Sequence, residues 1–387
     1  MAVVTRRPVL APSFPWRTLG VLALLAILIA AAVVYAGSQR VALPAPFGPA
    51  RNGLIAFESG GDIFTADPVT GMTTALITGP EMDVGPRFSR DGTQVVFERK
   101  VDGGRSEIYV GRSDGRGLRL ITPEPVVLTQ SLLGEPWEQY QFSPDGQSVL
   151  IATTQNAWGT ISIAGSDGSG IRQLDVGMPV TDPSYRPPDG AEILFVGDGP
   201  SGTNHGLFAV DVVSGARRTI VELSSIYDLA GANWSPDGSK IAYWRWGGPG
   251  VDEGITAHTR VISADGTRDM ALLEPPGTVW SSGSDWSNDG TRLLVFRGFS
   301  PGFEDVRPAV VPADGSSMGI ETDRMIPIVQ ECCPFAEWAP DDSRILVTPV
   351  DAAGKPGQQL TIDPLTGETQ LAPWDTTSDP AWQRQAR

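Results

Sequence analysis

WSPDGSKIAYW, residues 234–244, holds an aromatic residue, a Ser-x-Asp-Gly turn and an apolar run, in that order. Glycine accepts positive φ and aspartate hydrogen-bonds its own backbone, so Asp-Gly closes a tight strand reversal, and the β-branched and aromatic run after it reads as a strand. The phrase recurs as FSRDGTQVVF from Phe88, FSPDGQSVLI from Phe142, YRPPDGAEILF from Tyr185, WSNDGTRLLVF from Trp286 and WAPDDSRILV from Trp338. The starting aromatics lie 43 to 54 residues apart. A period of about 40 to 50 residues is that of four-stranded propeller blades. Each interval holds a second hairpin turn, among them Ser113-Asp114-Gly115, Ser166-Asp167-Gly168 and Ala264-Asp265-Gly266, so four strands per repeat follow.

Both ends of the repeat are incomplete. SDPAWQR, residues 378–384, reads as a first strand with nothing after it, whereas GLIAFES from Gly53, DIFTADPVTG from Asp62 and MTTALIT from Met72 read as second, third and fourth strands. Joining Trp382 to the Gly53 segment completes one unit and removes the open edges of the array. The expectation is an all-β, seven-bladed propeller over residues 53–387, counting first strands from Phe88 through Trp382, with the C-terminal strand closing the N-terminal blade.

Before it come three shorter segments. Residues 18–39, TLGVLALLAILIAAAVVYAGSQ, carry no charge and would span roughly 33 Å as a helix, enough to cross a bilayer. Trp16 and Tyr35 stand at its ends, and Arg6, Arg7 and Arg17 favour a cytoplasmic tail of residues 1–17. The expectation is a single-pass anchor with the propeller extracytoplasmic. A cleaved signal peptide is the competing reading, since Val34-Tyr35-Ala36 resembles a processing site, although the apolar run exceeds the usual about 7 to 15 residues. Residues 40–52, rich in Pro and Ala, read as a linker.

The first 40 residues hold four arginines and no acid, leaving 25 of the 29 basic side chains against all 45 acidic ones, a net charge of −20 on the rest. Such a body repels phosphate backbones, which argues against nucleic acid as a partner.

The F/W-S-P-D-G-x-x-I/L-x-F signature resembles the TolB-like, WD-repeat-like propellers over essentially all of residues 53–384. The resemblance implies fold far more than activity. Members with an α/β domain before the propeller bind a peptidoglycan-associated lipoprotein in the bacterial envelope. The residues before 53 hold no such domain, so that partner does not carry over. Some relatives are similar to polysaccharide lyases, and some peptidases place a propeller before a catalytic α/β domain that is not seen here.

In a blade whose first strand ends at Ser-x-Asp-Gly, the longest and least repetitive loops gather on the opposite face, where binding residues are expected. The candidates are Trp137, Glu138, Trp158, Trp246, Asp252, Glu253, Trp280, Glu304 and Asp305, a mixture of flat apolar faces and carboxylates suited to a sugar, a peptide or a cation. No cofactor is expected and no metal ligands are assigned; a Ca²⁺ held by several loop carboxylates is the alternative, although no compact calcium loop is present. Cys332 and Cys333 are adjacent and could form a strained vicinal disulfide or remain thiols. His205 and His258 precede third strands of neighbouring blades and read as a candidate acid/base pair or as isolated surface residues. No Gly-x-Ser-x-Gly, His-Glu-x-x-His or phosphate-binding glycine loop occurs. No catalytic residue is therefore assigned. The expected function is a membrane-anchored scaffold binding a protein, peptide or glycan of the cell envelope, with an envelope polysaccharide lyase or hydrolase as the alternative.

Overall fold

The computed structural model describes residues 48–128, 139–155, 158–199, 205–247, 257–300, 305–322, 335–349, 357–374 and 380–386. They form 28 strands. In chain order these are β1 (Arg51–Ser59), β2 (Asp62–Ala66), β3 (Thr73–Ile77), β4 (Met82–Phe88), β5 (Gln94–Val101), β6 (Arg105–Arg112), β7 (Arg119–Leu120), β8 (Tyr140–Phe142) and β9 (Ser148–Gln155). There follow β10 (Trp158–Gly165), β11 (Ile171–Leu174), β12 (Val180–Tyr185), β13 (Glu192–Asp198), β14 (His205–Asp211), β15 (Arg217–Ser224), β16 (Asp228–Trp234), β17 (Lys240–Trp246), β18 (Ala257–Ser263) and β19 (Asp269–Ala271). The last are β20 (Trp280–Trp286), β21 (Arg292–Gly298), β22 (Val306–Pro312), β23 (Ile320–Glu321), β24 (Phe335–Trp338), β25 (Ile345–Thr348), β26 (Leu360–Ile362), β27 (Thr369–Leu371) and β28 (Ala381–Gln385).

The repeated turn explains why each unit starts as it does. Ser89 Oγ donates to Asp91 Oδ1 at 2.6 Å and accepts from the Gln94 amide at 2.9 Å, while Asp91 Oδ1 also accepts from the Thr93 amide. Ser143–Asp145, Ser235–Asp237 and Ser287–Asp289 repeat this geometry with the same 2.6 Å contact. The aromatic before each turn packs between sheets: Trp234, Trp338 and Trp382 are all buried. The Trp286 and Trp338 indoles each donate to a first-strand carbonyl of the preceding repeat, Asn233 and Asp285. Burying each such ring contributes about 2 to 3 kcal/mol and fixes the spacing of adjacent sheets.

Five sheets of four strands stand apart: β28-β1-β2-β3, β4 to β7, β8 to β11, β12 to β15, and β24 to β27. The chain's two ends meet in the first, where Trp382 lies opposite Ile55 and Ala381 opposite Ala56.

The expectation of seven separate blades is corrected here. Among the described residues five four-stranded blades form, and residues 228–321 contribute one continuous eight-stranded sheet instead of two further blades. The cause is local. Strand β19 covers only Arg260 to Ile262 of β18, so the start of β18 is left for β20, which pairs with it in parallel at Ala257 and Trp280. Ser281 Oγ then takes the buried Thr259 amide at 3.0 Å. The expected membrane helix, residues 18–39, lies outside the described residues. Among those described, no helix is long and apolar enough to cross a membrane.

Candidate functional site

The first strands converge, on the face carrying the Ser-x-Asp-Gly turns, around a cavity of about 350 Å³. Its wall is set by the residue in the second position of that turn. Proline is the rule there, at Pro144, Pro236 and Pro340, and proline brings no donor. Three repeats depart from the rule: Arg90 follows Ser89, Asn288 follows Ser287, and Arg384 follows Trp382-Gln383 at the equivalent place in the closing strand. All three line the cavity.

A fourth departure lies beside them. In WAPDD the last aspartate, Asp342, stands where sister turns have glycine, and it keeps the glycine-like backbone with φ of 62°. Its carboxylate accepts from the Asn288 amide at 2.6 Å, the Asn288 side-chain amide at 3.0 Å and the Asp289 amide at 2.9 Å. Asn288 Oδ1 in turn accepts from Arg384 Nη1 at 2.5 Å, and Arg384 Nη2 donates to the Gly48 carbonyl at 2.5 Å. Three departures from the repeat are thus one hydrogen-bonded chain, Asp342 to Asn288 to Arg384. Residues 48–52 run along the same rim, where the Ala50 amide donates to Pro340 and Asn52 Oδ1 accepts from the Asp341 amide.

The electrostatics of the mouth differ from those of the protein. The chain carries −16, yet the cavity is lined by Arg87, Arg90 and Arg384 against Asp285 and Glu337, a surplus of one positive charge. Burial lowers the Arg90 guanidinium to about 9, and the charge of Arg384 lowers it further. Glu337 is anchored by the Trp382 amide, which donates to Oε2 at 2.8 Å.

Farther along the first strands, toward the opposite face, the backbone makes a positive-φ kink at Gly85, Gly231 and Gly283, and in one repeat at Asp182, with φ of 51°. The Asp182 carboxylate accepts from the Gly231 amide at 3.1 Å. Burial pushes it up to about 6, and Asp198 adds to the shift. His205 bridges Asp198 and Asp228, with Nε2 at 3.4 Å from the first and Nδ1 at 2.9 Å from the second.

Trp137, Glu138, Asp252, Glu253, Glu304, Cys332 and Cys333 lie outside the described residues. Trp158 opens β10, paired with Gln155. Trp246 packs against Trp244 with ring centroids 4.9 Å apart. Trp280 is 7% exposed, inside the core of the eight-stranded sheet, so its ring presents no open face. Asp305 accepts from Arg307 Nε at 3.2 Å. His258 is buried, opposite Arg245 in the β17–β18 pair. Among the described residues no group of three or more His, Cys, Asp or Glu is placed to hold a metal ion.

Comparison with solved structures bears on the fold. TolB from Acinetobacter baumannii matches at 16% identity, covering 88% of this chain and 68% of its own, with a TM-score of 0.50. An oligogalacturonate lyase in complex with manganese matches at 14% identity, covering 83% and 85%, with a TM-score of 0.58. This chain has the TolB-like propeller fold. A puromycin-hydrolysing peptidase from Mycobacterium tuberculosis matches at 18% identity and a TM-score of 0.51, with 86% of this TolB-like chain spanning 56% of the peptidase. No family model matches the sequence. Identities this low establish the fold alone.

Sequence reading passes over Arg87, Arg90, Asn288, Glu337, Asp342 and Arg384. The available signal is the break in the repeat: Arg90, Asn288 and Asp342 replace the proline or glycine that sister turns carry.

Proposed function

We propose that this TolB-like propeller is a non-catalytic binding module that receives a protein or peptide of the cell envelope at the turn-face mouth. Residues 18–39 would tether it, with the propeller outside the cytoplasm. The observation that carries this reading is the set Arg90, Asn288 and Arg384 lining one cavity, with Asp342 holding Asn288 from behind. Turn formers need no such cross-repeat chain, and a positive-φ aspartate costs on the order of 1 kcal/mol that the hydrogen bonds to Asn288 and Asp289 must offset. Strain held at a concave, charged opening is characteristic of recognition sites.

The lyase or hydrolase alternative rests on a different place, the His205 bridge between Asp198 and Asp228 with Asp182 nearby. There, a histidine among carboxylates could move protons.

Photo-cross-linking in the intact, full-length protein separates the readings. A photoreactive residue replacing Pro144 on the mouth rim is expected to capture an envelope protein, whereas one replacing the exposed Ile226 on the opposite face is not. Capture from position 226 alone, or from neither, contradicts the proposal.

A further inference from the structure

We infer that His205, set between Asp198 and Asp228, is a proton-dependent latch that joins the β12–β15 blade to β16 at the end of the first strands away from the mouth. The starting point is which strands the three residues belong to. Asp198 closes β13 and His205 opens β14, directly opposite each other in one blade, whereas Asp228 opens β16 of the adjoining sheet. His205 Nδ1 lies 2.9 Å from Asp228 Oδ1, and Nε2 lies 3.4 Å from Asp198 Oδ1. One imidazole ring therefore touches both sides of the junction. Three residues on, the Asp182 carboxylate of β12 takes the Gly231 amide of β16, a second polar tie across the same junction.

The proton count makes the contact conditional. A neutral imidazole has one N–H and one lone pair, and a carboxylate oxygen only accepts. Both ring nitrogens here face carboxylate oxygens, so the trio needs one proton more than a neutral histidine with two carboxylates would carry. Burial supports that extra proton by raising the Asp198 carboxyl, although the nearby His205 charge opposes the rise. When the proton leaves, a single N–H must serve two acceptors, and exposure decides between them. Asp198 is 15% exposed at its side chain and Asp228 is 58% exposed, so water replaces the histidine at Asp228 far more readily than at Asp198. The N–H then settles on Nε2, inside the blade, and the bond across the junction is the one given up. Asp198, now charged, also acts on Asp182 and weakens the second tie. Other charged groups do not replace the proton among the described residues. On β15 the residue opposite His205 is Ser224, and Glu222 is exposed and of the wrong sign; on β17 the Arg245 guanidinium lies over the Tyr227 ring, 5.1 Å from its centroid. The closed junction binds the proton more tightly than the open one, so it is held in acid and loosens as pH rises.

Hydrogen exchange of the full-length chain at pH 5 and pH 8, corrected for the base-catalysed rise in intrinsic rate, reads the latch at the amides of Asp228 to Gly231. Protection there is expected to fall about 10-fold between the two, the equivalent of about one pKa unit of linked proton, while β4 and β5 stay unchanged. Asp228→Asn separates the latch from ordinary packing. An amide can donate to Nδ1 once the ring proton has moved to Nε2, so this variant is expected to keep the junction protected at pH 8. His205→Gln, which cannot take up a second proton, is expected to show a change of less than about 2-fold. Asp182→Asn should retain most of the fall, because it leaves the histidine and both its partners in place. Equal protection of the parent at the two pH values overturns the latch. So does a full 10-fold fall in Asp228→Asn, which would assign the dependence to Asp182; that arm decides the matter even where His205→Gln does not fold. No partner is needed for the measurement, so the latch stands or falls separately from the binding-module reading.

Discussion

Asp342 shows how one residue can break a repeat and strengthen a site. Its glycine-like φ of 62° is strained by on the order of 1 kcal/mol, while its carboxylate takes three hydrogen bonds from Asn288 and Asp289, each worth about 1.5 to 3 kcal/mol with a charged acceptor. Burial opposes these bonds and raises the Asp342 carboxyl, yet what is left of three bonds still exceeds the backbone strain. Asp342→Gly is therefore expected to lower stability by about 1 to 3 kcal/mol in urea unfolding, and Asp342→Asn by less. Asp182 carries the same kind of strain, and burial raises its carboxyl as it raises that of Asp342. The folded value of Asp182, about 6, lies above the unfolded value of about 3.9, so the folded state binds the proton more tightly. The contribution to stability is complete below about pH 4 and is lost as pH rises through 6. Asp182→Asn should then stabilise at pH 7 by on the order of 2 kcal/mol, discounted for water in the channel, and change little at pH 4. Urea unfolding at the two pH values measures the difference. The roles of the repeated Ser and Asp residues are legible in the sequence because every turn uses them alike. Arg90 and Asn288 are not, because a single loop residue that differs from proline carries no sign of what it faces.

At the level of strands, hairpins and their order are readable from Asp-Gly turns and apolar runs, and so is the meeting of the two termini, because one strand of a repeat stands at one end and the other three at the other. The union of β16 to β23 into one sheet is not readable. It depends on how few residues of β19 pair with β18 and on Ala257 lying beside Trp280, a non-local contact that leaves no pattern in either segment. Trp280 illustrates the same limit: a tryptophan in a long, irregular loop looks available for a ligand, yet it closes over Gly298 and is buried. The seam rests on a small number of contacts. Ser281→Ala would leave the buried Thr259 amide without its acceptor and is expected to cost about 1 to 3 kcal/mol. Hydrogen exchange should show the loss concentrated at the start of β18, and protection unchanged there would argue against the seam.

For the whole molecule, one strand has two duties. β28 completes the sheet of β1 to β3 through Trp382 and Ile55, and it also delivers Arg384 to the mouth. The net charge of −16 leaves that mouth as a local inversion of sign. Removing β28 exposes the edge of β1, opens Ile55 and Ala56 to water and takes away one guanidinium. The most direct measurement is hydrogen exchange of the β1 amides in the full chain and in a chain ending at Pro380, alongside thermal unfolding. The shortened chain should lose protection through Arg51 to Ala56 and unfold at a lower temperature. Unaltered protection in β1, with an unchanged unfolding temperature, would contradict closure by β28 and with it the architecture on which the site depends.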